Sequence, residues 1–353
     1  MLIQDSRDLR AIQDGSVALV VTSPPYPMIE MWDGLFTSLS LDVGSSLRDE
    51  DFDDAFETMH AELDRVWVEC HRVLMPGGIA CINIGDATRA AGEDFRLFSN
   101  HARAIHGMNR AGFTTLPDIL WRKPTNAPNK FMGSGMLPPG AYVTYEHEYI
   151  LIFRNGSKRS FETPEQKALR RRSAYFWEER NLWFSDLWSD MVGSKQALAA
   201  KDARLRSAAF PFELPYRLIQ MFSLYGDTVL DPFAGIGTTM AAALGSGRNS
   251  IGIERDPSLL QAIEGSLTLA PELGNQRAAA RLEAHRELID LRRSAGRLPE
   301  HLNRPYGFPV VTGQEVDLEL CTTVSVTKTA EAAYAATHTP EIARVGLFDE
   351  EAG

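Results

Sequence analysis

Cysteine is scarce in this chain of 353 residues, and the three that occur are Cys70, Cys81 and Cys321. They form no CxxC pair and no cluster with histidine, which argues against a structural zinc site and for a reducing compartment. Long apolar runs are also missing, since no uninterrupted stretch approaches the length of a membrane span. The first residues lack a basic segment followed by an apolar one, so we expect no signal peptide. The sequence therefore predicts a cytoplasmic protein without a bound metal or a membrane anchor.

Net positive charge is absent as well, because 47 acidic residues oppose 36 Lys and Arg and give a formal charge of -11. That average counts against a nucleic-acid partner, but the charge is segregated. Residues 42–64 hold nine acids against one arginine, whereas residues 155–206 hold eleven Lys or Arg against seven acids, with seven aromatic residues among them. The second stretch could be a solvated insertion, but its charge favours a region that contacts DNA. Its candidate DNA-binding residues are Lys158, Arg159, Arg170, Arg171 and Arg172.

Strand patterns alternate with helix patterns along most of the chain. The unbroken apolar run at 17–22 predicts a buried strand, and apolar positions at helical spacing over 52–74 predict a helix. Further strands are predicted at 79–84, 115–121, 148–153, 227–231 and 250–254, and further helices at 97–111, 213–224, 237–246, 258–267 and 276–294. Residues 122–140 have the composition of a loop, and residues 305–353 show no strong period. This alternation predicts an α/β protein with a doubly wound, mostly parallel sheet.

The first predicted strand ends in the sequence Thr22-Ser23-Pro24-Pro25-Tyr26. Each proline fixes φ and lacks an N–H, so neighbouring carbonyls are left free to accept hydrogen bonds from something else. A planar amine held against this rigid corner, with its ring stacked on Tyr26, would be presented for chemistry at nitrogen. Tyr26 could also be a packing aromatic, but the preceding Ser-Pro-Pro favours stacking. The candidate catalytic residues are therefore Ser23, Pro24, Pro25 and Tyr26.

A second motif lies far downstream, where a strand runs through Asp231 into a glycine turn and then a helix at 237–246. Two glycines two residues apart let the backbone approach a ligand closely. A second acid, Glu254, closes the next strand, where the ribose hydroxyls of a nucleoside cofactor are bound. No Lys-Ser/Thr follows the glycines, which excludes a nucleoside-triphosphate loop, and a third glycine at dinucleotide spacing is missing. An ordinary turn and a nicotinamide cofactor are the alternatives to a nucleoside-type cofactor, which the motif favours.

The sequences TSPPY at 22–26 and DPFAGIGTT at 231–239 resemble the DNA amino-methyltransferases that use S-adenosylmethionine. The order, with the catalytic motif first, resembles the β group of that family. Other stretches of the chain match the family in the same order, at Asp5-Ser6, 72–78, 83–86, 145–153 and 210–215. The resemblance covers residues 1–270 and does not extend over residues 271–353.

The resemblance implies a Rossmann-like methyltransferase fold in four parts. These are a catalytic half (1–154), a target-recognition insertion (155–206), a cofactor-binding half (207–270) and a C-terminal extension without an assigned role (271–353). It also implies which residues bind S-adenosylmethionine: Asp5, Phe210, Glu213, Asp231, Pro232, Phe233, Ala234, Gly235, Gly237, Thr238, Thr239 and Glu254. Asp5 would contact the adenine, and the element that begins at Phe210 would close over the methionine.

The implied reaction is transfer of a methyl group to the exocyclic N4 amine of a flipped cytosine in double-stranded DNA. Serine at position 23 resembles the N4-cytosine enzymes, whereas Asp or Asn is commoner there for adenine, so an N6-adenine enzyme is the first alternative. A DNA-binding relic without activity is the second. Carbon-5 methylation of cytosine is disfavoured because none of the cysteines follows a proline. The resemblance also admits a homodimer and a cognate restriction endonuclease as partners.

Overall fold

The structure is a computed structural model that describes residues 1–91, 94–123, 132–133, 135–191, 210–297 and 299–339. Its strands are β1 (Leu2–Ile3), β2 (Val17–Thr22), β3 (Leu74–Ile84), β4 (Ala87–Ala91), β5 (Asp94–Phe98), β6 (Phe113–Thr115), β7 (Ile119–Arg122), β8 (Met132–Gly133), β9 (Ala141–Tyr142), β10 (His147–Asn155), β11 (Leu187–Trp188), β12 (Thr228–Asp231), β13 (Asn249–Glu254), β14 (His301–Leu302), β15 (Pro309–Val310), β16 (Thr322–Ala330) and β17 (Ala333–Thr339). Its α-helices are α1 (Asp33–Leu39), α2 (Leu41–Arg48), α3 (Phe52–Val73), α4 (Asn100–Arg110), α5 (Pro164–Arg172), α6 (Trp177–Trp183), α7 (Glu213–Phe222), α8 (Thr238–Leu244), α9 (Leu260–Thr268) and α10 (Ala270–Ser294).

The central sheet has the strand order β1-β13-β12-β2-β3-β10-β7-β11, and β6 pairs with β10. The first five strands of this order are parallel, so their carboxyl ends share one edge of the sheet. We call that edge the carboxyl edge and the opposite one the amino edge. Strand β10 runs antiparallel to β3 and therefore begins at the carboxyl edge and ends at the amino edge. The predicted doubly wound, mostly parallel sheet is confirmed.

Strand β2 is buried along its whole length because helices cover both faces of the sheet. Val20 packs in one apolar cluster with Met59 of α3 and Met108 of α4. Leu19, which points to the opposite face, packs in a second cluster with Ile219 of α7. This covering on two sides explains why the sequence of β2 is an unbroken apolar run rather than an alternating one.

Several elements differ from the sequence-based predictions. The predicted strand at 115–121 is two strands, because Pro117 lies between β6 and β7 and cannot donate a ladder hydrogen bond. Helix α10 begins at Ala270 rather than at 276, and helices α1 and α2 and the β4–β5 hairpin were not predicted. Residues 124–131, within the predicted loop at 122–140, lie outside the described residues.

The region without a strong period contains the β16–β17 hairpin. Much of β16 is exposed on both faces, so its sequence shows no apolar alternation that would reveal a strand. The hairpin is attached to the main domain, since the Thr323 hydroxyl donates to the carbonyl of Leu244 at 3.3 Å and the Tyr334 hydroxyl donates to Glu264 at 2.9 Å.

Helix α10 joins the C-terminal part to the predicted insertion. Arg281 forms a buried ion pair with Glu179 of α6 at 2.6 Å. Beside it, Phe176, Leu282 and Phe308 belong to a small apolar cluster of their own. Helix α10 and the segment around Phe308 therefore pack on the predicted insertion at α6. No helix in the described ranges is both long and apolar enough to cross a membrane.

Candidate active site

The two sequence motifs meet in one cleft at the carboxyl edge of the sheet. Strands β2 and β12 are adjacent, and the Thr22 hydroxyl donates a 2.5 Å hydrogen bond to Oδ1 of Asp231. A cleft of about 960 Å³ is lined from one side by Ser23 and Tyr26 and from the other by Asp231 and Gly235. The proline corner, which is the Thr22–Tyr26 segment, and the glycine turn that follows Asp231 therefore share one cleft.

Backbone amides orient two carboxylates in the glycine-turn half of the cleft. Oε2 of Glu254 accepts from the N–H of Gly235 at 2.9 Å, and its Oε1 accepts from the N–H groups of Arg255 and Asp256. Burial raises the pKa of Glu254 above its ordinary value. Burial also raises the pKa of Asp231 to about 6, although hydrogen bonds from the side chains of Thr22 and Thr239 and from the backbone N–H of Phe233 oppose that shift. Two buried carboxylates favour a ligand that brings hydroxyl donors and positive charge.

Gly235 leaves open space beside these carboxylates. Its φ is +52°, and a Cβ built on it would meet no atom closer than the Phe233 carbonyl oxygen at 3.9 Å. A side chain here would therefore project into the cleft and would also be strained by the positive φ. The open turn and the two carboxylates fit a nucleoside cofactor such as S-adenosylmethionine.

Nine of the twelve predicted cofactor residues line the cleft: Asp5, Phe210, Asp231, Pro232, Phe233, Ala234, Gly235, Thr238 and Glu254. Gly237, Thr239 and Glu213 are not among the described residues that line it. Gly237 caps α8 with a φ of +83°, and the Thr239 hydroxyl donates to the carbonyl of Val21 at 3.3 Å. The Glu213 carboxylate pairs with Arg217 at 2.6 Å and with Arg277 at 2.8 Å. These three residues build the scaffold around the cleft.

Asp5 forms an ion pair with an arginine that was not predicted from the sequence as a site residue. Arg7 donates from Nη2 to Asp5 at 2.7 Å and from Nη1 to Glu62 at 2.5 Å. Burial of Asp5 acts to raise its pKa, but the hydrogen bonds from Arg7 outweigh burial and leave that pKa lowered. Arg7 and Glu62 also line the cleft, so Asp5 is fixed as an ionised acceptor at its end.

A hydrogen-bonded cluster occupies the proline-corner half of the cleft. The Tyr26 hydroxyl lies 3.1 Å from Oγ of Ser23, 3.0 Å from Nδ2 of Asn83 and 3.1 Å from Oε2 of Glu148. Asn83 also donates to Oε2 of Glu148 at 2.7 Å, and Nζ of Lys123 donates to Oε1 at 2.5 Å. The described residues provide no hydrogen bond to the buried Oδ1 of Asn83, which remains a potential acceptor for a ligand.

Three residues of this cluster were not predicted from the sequence as site residues: Asn83, Lys123 and Glu148. Asn83 and Glu148 stand in stretches that resemble the family, but no local feature distinguishes Glu148 from Glu146 two residues earlier. The positions of two of them on strands could have indicated a role in the site. Asn83 lies near the carboxyl end of β3 and Lys123 directly follows β7, and ligands bind at the carboxyl ends of such strands.

Hydrogen bonds from Asn100, the first residue of α4, hold the loop that follows the proline corner. Its Nδ2 donates to the carbonyls of Pro27 and Gly85, each at 3.0 Å, and its Oδ1 lies 3.0 Å from Nε2 of His60. Burial lowers the pKa of His60 to about 3, so that ring is neutral and donates from Nε2. Asn100 thereby fixes the two loops between which Tyr26 lies.

The five predicted DNA-binding residues lie away from the cleft. Arg159 pairs with Asp227, which precedes β12 at the amino edge, at 2.6 Å. Arg172 pairs with Glu319 at 2.9 Å, and Arg170 lies over the ring of Phe161. Arg171, which is 3.8 Å from Asp317, and exposed Lys158 belong to the same segment. Because β10 ends at the amino edge, the segment that follows it begins at the edge of the sheet opposite the cleft.

The chain returns to the cleft only after this segment. Strand β11 is parallel to β7 and places Trp188 opposite Trp121 at the carboxyl edge, and Phe210 lines the cleft. Residues 192–209, which include the last four cations of the predicted insertion, lie outside the described residues.

Comparison with known proteins agrees with this geometry. Residues 17–265 match the N6_N4_Mtase family, described as DNA methylase. Type II methyltransferase M.MthZI of Methanothermobacter thermautotrophicus is 51% identical over 318 residues, which cover 90% of this chain and 88% of that protein. Type II methyltransferase M.MjaI of Methanocaldococcus jannaschii is 52% identical over 275 residues, which cover 75% of this chain and 89% of that protein. The structure of TTHA0409 from Thermus thermophilus, complexed with S-adenosyl-L-methionine, has a TM-score of 0.59 and 33% identity, and the match covers 76% of this chain and 92% of that one.

The parallel sheet and the joined motifs define an S-adenosylmethionine-dependent methyltransferase. Within that class, this chain belongs to the DNA methylase family. It is therefore an enzyme, a DNA methyltransferase, and S-adenosylmethionine is its cofactor. The family includes enzymes that methylate adenine N6 as well as cytosine N4.

Proposed function

We propose that this enzyme methylates the exocyclic N4 amine of cytosine in double-stranded DNA. The observation that carries the proposal is the position of Ser23 in the cleft shared with the glycine turn. Serine at the first position of the proline corner resembles the N4-cytosine enzymes. The Ser23 hydroxyl donates to Tyr26, which leaves the oxygen lone pairs available to an amine.

The proline corner would activate the amine by accepting its protons. An exocyclic amine is a poor nucleophile because its lone pair is conjugated into the ring. Ser23 Oγ and the Pro24 carbonyl would accept its two N–H groups and draw the nitrogen toward sp³ geometry, while Tyr26 contacts the base. When bound, the cofactor supplies an electrophilic methyl group on a positively charged sulfur. Fixed acceptors of this kind accelerate a reaction by positioning and by dipoles that are already oriented.

The cofactor would be held by the residues of the glycine-turn half. Glu254, whose carboxylate is fixed by three backbone N–H groups, would bind the ribose hydroxyls, and Asp5 would bind the adenine. Asp231 would face a positively charged group, which would stabilise the ionised form that burial disfavours. Phe210 would cover the cofactor from the edge of the cleft.

The cysteines do not support carbon-5 chemistry. Cys70 and Cys81 are buried, and burial raises the pKa of both thiols. Cys321 lies just before β16, and burial raises its pKa to about 11. None of the three is among the described residues that line the cleft, so no thiolate is available to attack a cytosine ring.

The target base would have to leave the duplex to reach Ser23, since the corner lies within a cleft. Base flipping costs on the order of a few kcal/mol, which contacts with the rest of the DNA would offset. We further propose that the enzyme works in the cytoplasm and belongs to a restriction–modification system. The Type II designation of two relatives supports the restriction–modification system.

Mass spectrometry of nucleosides tests the proposal. Plasmid DNA would be methylated by the purified enzyme with S-adenosylmethionine, digested to nucleosides and compared with DNA incubated without cofactor. The expected new nucleoside is N4-methylcytosine. A product that contains only N6-methyladenine would overturn the choice of cytosine, and 5-methylcytosine would overturn the proposed role of the proline corner.

A further inference from the structure

The direction of each hydrogen bond around the Tyr26 hydroxyl can be assigned from chemistry. Nδ2 of Asn83 can only donate, and the Glu148 carboxylate can only accept. Tyr26 therefore donates its single proton to Glu148 and accepts from Asn83. Its second lone pair accepts from Ser23, whose hydroxyl proton points at the phenol at 3.1 Å.

The result is a directed chain of O–H groups that starts in the cleft and ends at a carboxylate. Ser23 donates to Tyr26, and Tyr26 donates to Glu148. The end of the chain is fixed, because Lys123 and Asn83 donate to the two oxygens of Glu148. The Glu148 side chain is only 16% exposed, which limits exchange with bulk water at this point.

On the proposed amino-methyltransferase function, we propose that Glu148 receives the proton that the target amine loses, by way of the Ser23 and Tyr26 hydroxyls. An N–H bond of the amine breaks as an O–H bond forms at Ser23. The original Ser23 proton moves to the Tyr26 oxygen, and the original Tyr26 proton moves to Glu148. The nitrogen gains a methyl carbon, loses one proton and ends neutral. The positive charge given up by the sulfonium is matched by the negative charge lost at Glu148.

Charge balance supports Glu148 as the end of this chain. After methyl transfer the amine nitrogen carries an excess proton, and that proton needs an acceptor that the proline corner can reach. Tyr26 cannot keep the proton itself, because a neutral phenol that accepts a proton must give up its own, and its hydroxyl donates to Glu148. Among the described residues, Lys123 and Tyr26 are the titratable groups that contact Glu148. In this relay Glu148 acts through the two hydroxyls and is a positioning residue.

A double-mutant cycle tests the relay. Single-turnover methyl transfer would be measured at saturating cofactor and DNA for the wild type, Glu148→Gln, Tyr26→Phe and the double variant. Both substitutions keep the shape of the site, since glutamine still accepts from Tyr26 and phenylalanine keeps the ring. Each single change should slow transfer by about 100-fold, the lower range for lost proton transfer. The double variant should be no slower than either one, because both changes break the same chain.

The pH dependence separates a relay from a merely structural role. Any acidic limb of the wild-type rate that the relay causes should be absent from Glu148→Gln, which lacks the carboxylate, and from Tyr26→Phe, where the carboxylate is disconnected from Ser23. If Glu148→Gln fails to fold, the profile of Tyr26→Phe decides the question by itself. Additive losses in the double variant, or an acidic limb that persists in Tyr26→Phe, would overturn the relay.

Binding and folding provide the controls. The melting temperature shows that each variant is folded under the assay conditions. Calorimetric affinity for S-adenosylmethionine should match the wild type in Tyr26→Phe, and a large loss of that affinity would also overturn the relay. Glu146→Gln removes a carboxylate from the same stretch that pairs with Arg122 outside the cleft, and it should transfer methyl groups at the wild-type rate. The methylated nucleoside is identified in the wild type first. A wrong base would refute the proposed function, whereas additive losses on the correct base refute only the relay.

Discussion

The hydroxyl of Thr22 and the carboxylate of Asp231 join the two halves of the active site through a 2.5 Å hydrogen bond between the ends of adjacent strands. Residues separated by more than two hundred positions in the sequence thereby share one fixed corner. Asp231 faces the cofactor half of the cleft, and Ser23, which follows Thr22, faces the substrate half. On the proposed function, the bond couples the position of the methyl donor to that of the acceptor.

Thr22→Val keeps the shape of the side chain and removes this bond. Because a buried carboxylate loses a donor, the free energy of unfolding should fall by about 1–3 kcal/mol. The affinity for S-adenosylmethionine should fall as well, since Asp231 is no longer held. Urea unfolding and calorimetry check these effects, and Thr22→Ser, which keeps the hydroxyl, should stay close to the wild type in both. An unchanged cofactor affinity in Thr22→Val would refute the coupling.

Asp231→Asn should stabilise the enzyme without cofactor at neutral pH while it weakens cofactor binding. The pKa of Asp231 is raised from 3.8 to about 6 by burial, so its contribution to stability is present below the lower value and is lost as the pH rises through the higher one. Asparagine accepts the same hydrogen bond without a charge. The gain near neutral pH should not exceed about 3 kcal/mol, from about 1.4 kcal/mol for each unit of pKa.

Melting temperatures of the wild type and of Asp231→Asn, measured from acidic to neutral pH without cofactor, check this prediction. The advantage of the variant should grow as the pH rises. An advantage that shrinks over the same range would show that the carboxylate is stabilised in the folded enzyme.

Asn100→Ala should impair methyl transfer without affecting cofactor binding. The side chain holds the carbonyls of Pro27 and Gly85 and makes no contact with the glycine turn. Loosening the loops beside Tyr26 should lower the single-turnover rate by about 10- to 100-fold, as small displacements of reacting groups do. Asn109→Ala, on the exposed part of the same helix, is the matched control and should leave the rate unchanged. A loss of cofactor affinity equal to the loss of rate would contradict the assignment.

The basic residues after β10 should contribute little to DNA binding. Arg170→Ala combined with Arg171→Ala should leave the affinity for duplex DNA within about twofold and should not change its dependence on salt. The helix that carries them ends at Ser173, which accepts from the backbone N–H of Tyr225 before β12 and so lies at the amino edge. Fluorescence anisotropy at several salt concentrations measures both quantities. If the slope of affinity against salt fell by about two phosphate contacts, this segment would have to reach the DNA.

The parts of the site that could be predicted from the sequence are those whose residues follow one another in a short motif. Ser23, Tyr26, Asp231 and Gly235 belong to two local motifs, each at the end of a buried strand, and parallel strand ends share one edge. Local charge does not locate Arg159 in the fold, because the position of a basic residue depends on the direction of the strand before it. The reversal of β10 is not visible in its composition.

The supporting residues could not be predicted for a different reason. Glu148 acquires its role from Tyr26, Asn83 and Lys123, which come from three other elements. Asn100 donates to the carbonyls of two separate loops, and its neighbours in the sequence do not show which carbonyls lie within its reach. Such roles arise from tertiary contacts, and only the folded chain displays them.

A direct test of the whole account is the product formed by Ser23→Ala. The variant would be given saturating S-adenosylmethionine and DNA, and N4-methylcytosine would be measured by mass spectrometry together with calorimetric cofactor affinity. Since Ser23 accepts an amine proton and does not belong to the glycine turn, cofactor affinity should persist while the transfer rate falls by at least about 100-fold. N4-methylcytosine formed at the wild-type rate would contradict the central claim that Ser23 presents the amine for methylation.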